Sequence, residues 1–153
     1  MSVTTATSRS TVSTSTSTSA PALWRAGLVA AILASVATEV LAGIVRASGV
    51  HLAVGNMGGT AADVVELNVG ACTIMVFSCV AAGLAIAAGL NRWTKRPAHT
   101  FQVTAYALTA LSVVPDIFAG ATAASTKVTL ISAHLVAAAI VIPLVSRSLK
   151  TER

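Results

Sequence analysis

The chain has little charge. Of its 153 residues only 10% are Asp, Glu, Lys or Arg, and just five are acidic. A soluble domain carries about a quarter charged residues, so a water-covered surface is excluded for most of this chain. Aromatic residues are scarce too, at 4%, and there are two cysteines, Cys72 and Cys79. Seven residues apart on one helix they would be separated by roughly 10 Å, too far for a disulfide. That spacing argues against four-helix membrane thiol oxidoreductases, which use close cysteine pairs, and both thiols are expected to be small packing residues. No HExxH, Walker, GxSxG or CxxC pattern occurs. The glycine-rich "GNMGG" at Gly55–Gly59 fits neither a phosphate-binding loop nor a dinucleotide fingerprint. His51 and His99 are isolated and lack metal-ligand spacing. No cofactor, metal or catalytic residue is therefore assigned, and the expectation is a protein that is not an enzyme.

Hydrophobic residues are abundant. They make up 55% of the chain, and the mean hydropathy is +0.82. A membrane span needs roughly 20 predominantly apolar residues, and four stretches qualify, at about 24–45, 67–90, 100–118 and 127–145. They show no apolar/polar alternation, which disfavours a barrel. Only helices and closed barrels satisfy their backbone in lipid. The expected fold is all-α: a four-transmembrane-helix bundle, up-down-up-down, over residues 23–147. A disordered Ser/Thr-rich tail is expected at 1–22 and a basic tail at 148–153. "Ser35-Val36-Ala37" resembles a small-residue cleavage site, but the apolar run continues to Val45, as in an uncleaved anchor.

Basic residues are retained on the cytoplasmic side of membranes. With four spans, one side holds Arg9, Arg25, Arg92, Lys95, Arg96, Arg147, Lys150 and Arg153, and the other only Arg46 and Lys127. This predicts cytoplasmic N- and C-termini in the plasma (inner) membrane, with Trp24 and Trp93 at the inner interface. The net charge of +5 and pI near 10.0 then reflect topology and attraction to anionic lipid. No basic, aromatic-interleaved patch suggests nucleic-acid binding. The expected partner is the lipid bilayer, with a homo-oligomer or another membrane protein as candidates.

Helix ends carry local signals. Gly49 and Gly120 read as C-terminal breakers of the first and third helices, and Arg46 complements the first helix's dipole. Asp63 and Glu66 read as caps of the second helix, and Ser125 or Thr126 as caps of the fourth. Small residues recur every four positions: Ala30, Ala34, Thr38 and Ala42; Ala81, Ala85 and Gly89; Ala133 and Ala137. Such stripes let helices approach closely in lipid. Pro115 and Pro143 are expected to kink the third and fourth helices.

Ionisable residues inside a span face the bundle and find partners. Glu39 lies roughly 10 Å inside the outer end of its helix at 1.5 Å per residue, and His134 lies at a similar depth, which suggests a pair. Gln102, Thr109, Ser112 and Asp116 form a polar stripe on one face of the third helix. Glu39, Arg46, Asp116, Lys127 and His134 make a candidate intramembrane polar cluster. The preferred reading is a satisfied Glu39–His134 pair that fixes helix register. The alternative is a proton-responsive or cation-binding site, used by a small oligomeric proton-coupled transporter that relies on Glu39. Small multidrug exporters also place a glutamate in their first of four helices, but their other hallmarks are missing here.

The last span, "ATAASTKVTLISAHLVAAAIVIPLVSR", the loop "NRWTKRP" and the stretch "RASGVHLAV" carry a resemblance. Over about Trp24–Arg147 the chain resembles an uncharacterised actinobacterial family of small four-helix membrane proteins (DUF6069-like). Its most specific part is a small/Thr-rich entry, then His134-Leu135, then Ile142-Pro143 before a basic end. In the family pattern the histidine often follows methionine, whereas here it follows Ala133. The resemblance implies a four-span inner-membrane protein, supplies no established activity and transfers no catalytic residue. The functional expectation is a non-enzymatic membrane or envelope component, or an accessory subunit.

Overall fold

The computed structural model describes residues 20–150. Four helices, α1 (Ala20–Ala47), α2 (Ala71–Trp93), α3 (Pro97–Phe118) and α4 (Ala124–Lys150), form an up-down-up-down bundle. All four are long and apolar enough to cross a membrane, the architecture of a multi-pass membrane protein. Helix α4 packs extensively against α1 and α3, and α1 also packs against α2, while α2 meets α3 and α4 less closely. One end of the bundle, the terminal end, carries the first residues of α1, the last of α4 and the α2–α3 turn. The other, the loop end, carries the two longer connections.

Several boundaries differ from the expected ones. Residues 20–22 are helical rather than tail, because Pro21 fits a first turn and Leu23 is buried in the core; residues 1–19 lie outside the described residues. Residues 148–150 continue α4 instead of starting a basic tail, since Leu149 is buried beside Leu23's cluster; residues 151–153 lie outside the described residues. Helix α2 runs to Trp93, where Thr94 ends it by donating its N–H and hydroxyl to Leu90 O. Helix α3 begins three residues early, at Pro97, because proline suits the first helical position and Ala98 and Phe101 bury themselves at once.

Helix α2 starts late, at Ala71, because Val65–Leu67 are drawn into other pairing. A two-residue strand β1 (Ala53–Val54) pairs antiparallel with β2 (Val65–Glu66), and Leu67 N donates to Leu52 O. Asp63 and Glu66 therefore do not cap α2. Asp63 caps a 3-10 turn at Ala61–Asp63, accepting from the backbone N–H and hydroxyl of Thr60 at 2.9 Å each. Those two hydrogen bonds, backbone first, hold its carboxyl below the ordinary aspartate range. Glu66 is an exposed strand residue facing Ala53. Ser125 and Thr126 lie inside α4 rather than ahead of it; the fully buried Thr126 hydroxyl donates to His51 O in the loop.

The expected stripe on α1 is the spine of the core. Ala30, Ala34, Thr38 and Ala42 are all buried, joined by Ala31. Gly27 belongs with them, since a Cβ there would run into the Leu84 side chain. The expected α2 stripe is turned the other way. Ala81 and Ala85 are exposed, and Val76, Val80, Leu84 and Ala87 face inward. In lipid both faces of a helix are apolar, so the small residues alone do not reveal which is inside.

The loop end is ordered by backbone contacts. Gly49, at φ +88, ends α1 as expected, with its N–H on Arg46 O. Gly120 is not a left-handed cap, because Ala121 takes the positive φ after α3. Gly120 is needed for close approach: a Cβ on it would strike the Gly59 backbone, and one on Gly55 would strike Gly120 O. Gly58 N donates to Phe118 O, Gly120 N to Asn56 O, and Gly55 N to Thr122 Oγ1. The α1–α2 connection is thereby seated on the α3–α4 connection.

Candidate functional site

The five ionisable residues expected to cluster resolve into two separate groups at the loop end. The first is built on Glu39, and its partner is not His134. The carboxylate crosses from α1 to the start of α2, where Oε1 accepts the Thr73 N–H at 3.2 Å and its hydroxyl at 3.3 Å. The first N–H groups of a helix have no partner inside it. The N-cap of α2, Gly70 at φ +92, has no side chain to offer. Glu39 supplies that missing acceptor from another helix, and a carboxylate there also suits the positive end of the helix dipole.

Arg46 completes this group from one α-helical ridge. Its guanidinium lies 3.9 Å from Glu39 Oε2 and donates to Leu67 O at 2.9 Å and Asn68 O at 3.3 Å. The two residues are seven apart, two turns of α1, which places both on the side facing the approach to α2. Together they clamp the 67–73 segment, Arg46 holding carbonyls and Glu39 holding N–H donors. Both side chains are largely enclosed, at 24% and 21% exposure.

The second group joins α3 to α4. His134 Nδ1 lies 3.1 Å from Asp116 Oδ2 and 2.9 Å from Leu130 O, one turn earlier on its own helix. Asp116 is two residues from the end of α3, and His134 ten residues into α4. Lys127 Nζ reaches Ile117 O at 2.9 Å, capping the carbonyl end of α3 as a cation should.

The polar stripe on α3 does face a neighbour, and the neighbour is α4. At its far end Gln102 Nε2 donates to Ser146 Oγ at 3.1 Å. Between the ends Thr109 and Ser112 turn inward on their own helix, donating to Ala105 O and Thr109 O. Gln102 and Asp116 thus hold the two ends of one seam, separated by about 21 Å along the axis at 1.5 Å per residue.

Thr73, Ser146 and Thr122 were not singled out from the sequence. Thr73 had one legible signal, a hydroxyl residue in the first turn after a glycine. The others depend on which helix faces which. Ser35 is buried at mid-helix with an unpartnered hydroxyl. Among the described residues no three His, Cys, Asp or Glu side chains gather as a metal site requires.

One family model matches residues 18–151, and it is described as a family of unknown function (DUF6069). No curated protein and no solved structure matches the chain.

Proposed function

The chain belongs to DUF6069, a family of unknown function, and from that premise we propose that it is a non-enzymatic structural or accessory component of the plasma membrane. Both termini are cytoplasmic in this reading, as the distribution of eight basic residues against two favours. Its surroundings are the bilayer and either a second copy or another membrane protein, for which it serves as a subunit or scaffold.

The observation that carries this reading is the engagement of Glu39. An ionisable residue inside a membrane span faces the bundle interior and takes a partner there. Here the carboxylate is committed to the Thr73 N–H and hydroxyl and lies beside Arg46. The Asp116–His134 contact likewise fastens two helices together. Glu39 is a fitting of the fold, and a scaffold is the role that uses it as such.

The test is reconstitution in proteoliposomes, with orientation read from cysteines introduced at exposed Met57 and at Thr94 after Cys72 and Cys79 are replaced. The two labels should react from opposite sides of the vesicle. No proton flux should distinguish loaded from empty vesicles, whether the protein is wild type or Glu39→Gln. Flux through the wild type that Glu39→Gln abolishes would overturn the proposal in favour of a proton-coupled transporter.

A further inference from the structure

The contact between Asp116 and His134 is incomplete as hydrogen bonding, and the shortfall has chemical content. His134 Nδ1 stands between two oxygens, Leu130 O at 2.9 Å and Asp116 Oδ2 at 3.1 Å. A carbonyl oxygen only accepts, so Nδ1 carries the hydrogen, and one ring nitrogen carries only one. That hydrogen serves Leu130. Asp116 Oδ2 is consequently enclosed with no hydrogen bond, lying against the imidazole edge.

An ionised carboxylate oxygen enclosed in this way is costly unless an opposite charge compensates it. The surrounding elements offer few candidates. On α4, Lys127 directs its ammonium at Ile117 O. On α1, Glu39 and Arg46 are engaged with each other and with the start of α2. The titratable side chains of α2 are Cys72 and Cys79, which are neutral as thiols, and Arg92 in its last turn, at the opposite, terminal end of the bundle. The loop contributes His51, Asp63 and Glu66, all exposed. The group facing Asp116 Oδ2 is His134.

We propose that Asp116 and His134 form a proton-binding site, in which the closed α3–α4 seam holds one proton that the separated side chains release. The proton resides either on the imidazole, making an ion pair, or on the carboxyl, removing its charge. Both arrangements relieve the enclosed oxygen. Withdrawing the proton leaves an enclosed carboxylate beside a neutral ring, and the loop end of the seam then separates to let water reach it. The movement reaches the loop, because Phe118 O, two residues beyond Asp116, accepts the Gly58 N–H. A scaffold so equipped responds to acidity.

Spin labels at Val114→Cys and Val128→Cys, both exposed, report the width of this seam in the full chain in lipid nanodiscs, with Cys72 and Cys79 replaced. Their distance distribution is measured from pH 5 to 8.5. One linked proton makes the open-to-closed ratio rise up to tenfold per pH unit on the alkaline side. Asp116→Asn and His134→Gln should each remove this slope, and Glu39→Gln should retain it. A distance distribution in the otherwise unchanged protein that is the same across the range overturns the proposal without recourse to any variant. So does a slope that survives in Asp116→Asn.

Discussion

Replacing Glu39 by alanine removes an acceptor from the first turn of α2. Loss of a capping side chain typically costs about 1 kcal/mol. That same loss leaves the Thr73 N–H and hydroxyl, partly enclosed between two helices, without a partner, and an unsatisfied enclosed donor costs about 1–3 kcal/mol, a range that includes the cap rather than adding to it. The 3.9 Å ion pair with Arg46, whose two side chains keep 24% and 21% exposure, adds at most about 1 kcal/mol. Arg46 still holds Leu67 O and Asn68 O, so the clamp is weakened rather than dismantled. The expected loss for Glu39→Ala is about 2–3 kcal/mol. Its dependence on other residues is the sharper measurement. A double-mutant cycle between Glu39 and Thr73 (Glu39→Ala, Thr73→Val) should give a coupling of about 0.5–1 kcal/mol, within the range for residues in contact. A cycle between Glu39 and His134 should be additive within about 0.5 kcal/mol, whereas Asp116 and His134 should be coupled by more than that. All three cycles are read from reversible unfolding in detergent micelles titrated with SDS. Strong coupling of Glu39 to His134, with additivity between Asp116 and His134, would refute the assignment of partners.

Two further outcomes follow from packing. Ala30→Leu, at a position with no exposure, should destabilise the protein by about 1–3 kcal/mol through overpacking, while Ala85→Leu, on the exposed face of α2, should change the same unfolding midpoint little; equal effects would contradict the rotation of α2. Gly120→Ala places a Cβ against the Gly59 backbone, so it should unseat the 55–59 segment and speed proteolytic cleavage there while the helices keep their circular dichroism, and unchanged cleavage would contradict the close approach.

The four spans were legible because lipid imposes a length and a composition that the sequence cannot disguise. The α1 spine was legible for a related reason: Ala30, Ala34, Thr38 and Ala42 contrast with the bulky Leu28, Ile32, Val36 and Val40 on the opposite face. Helix α2 offers no such contrast, since its inward Val76, Val80 and Leu84 resemble residues that elsewhere face lipid, and its stripe was assigned to the wrong side. The partner of Glu39 was misassigned because depth is one coordinate and rotation is another. Glu39 and His134 share a depth, yet α1 presents the carboxylate to α2 and α4 presents the imidazole to α3. Asp63 and Glu66 were legible as cap-like residues only by spacing. Which turn they serve depended on Val65 and Glu66 pairing with Val54 and Ala53, a contact that local sequence does not encode.

The seating of one connection on the other also sets a timetable for synthesis. Gly55 and its hydroxyl partner Thr122 are 67 residues apart in the chain. At roughly 5–20 residues per second, the α1–α2 connection leaves the ribosome about 3–13 s before the segment that receives it. Through that interval α1 and α2 can insert and join through the Glu39 clamp, whose parts lie within their own hairpin. The glycine-rich stretch between them has to wait with its backbone groups solvated. It reaches its seat on the α3–α4 connection only when the second hairpin has arrived.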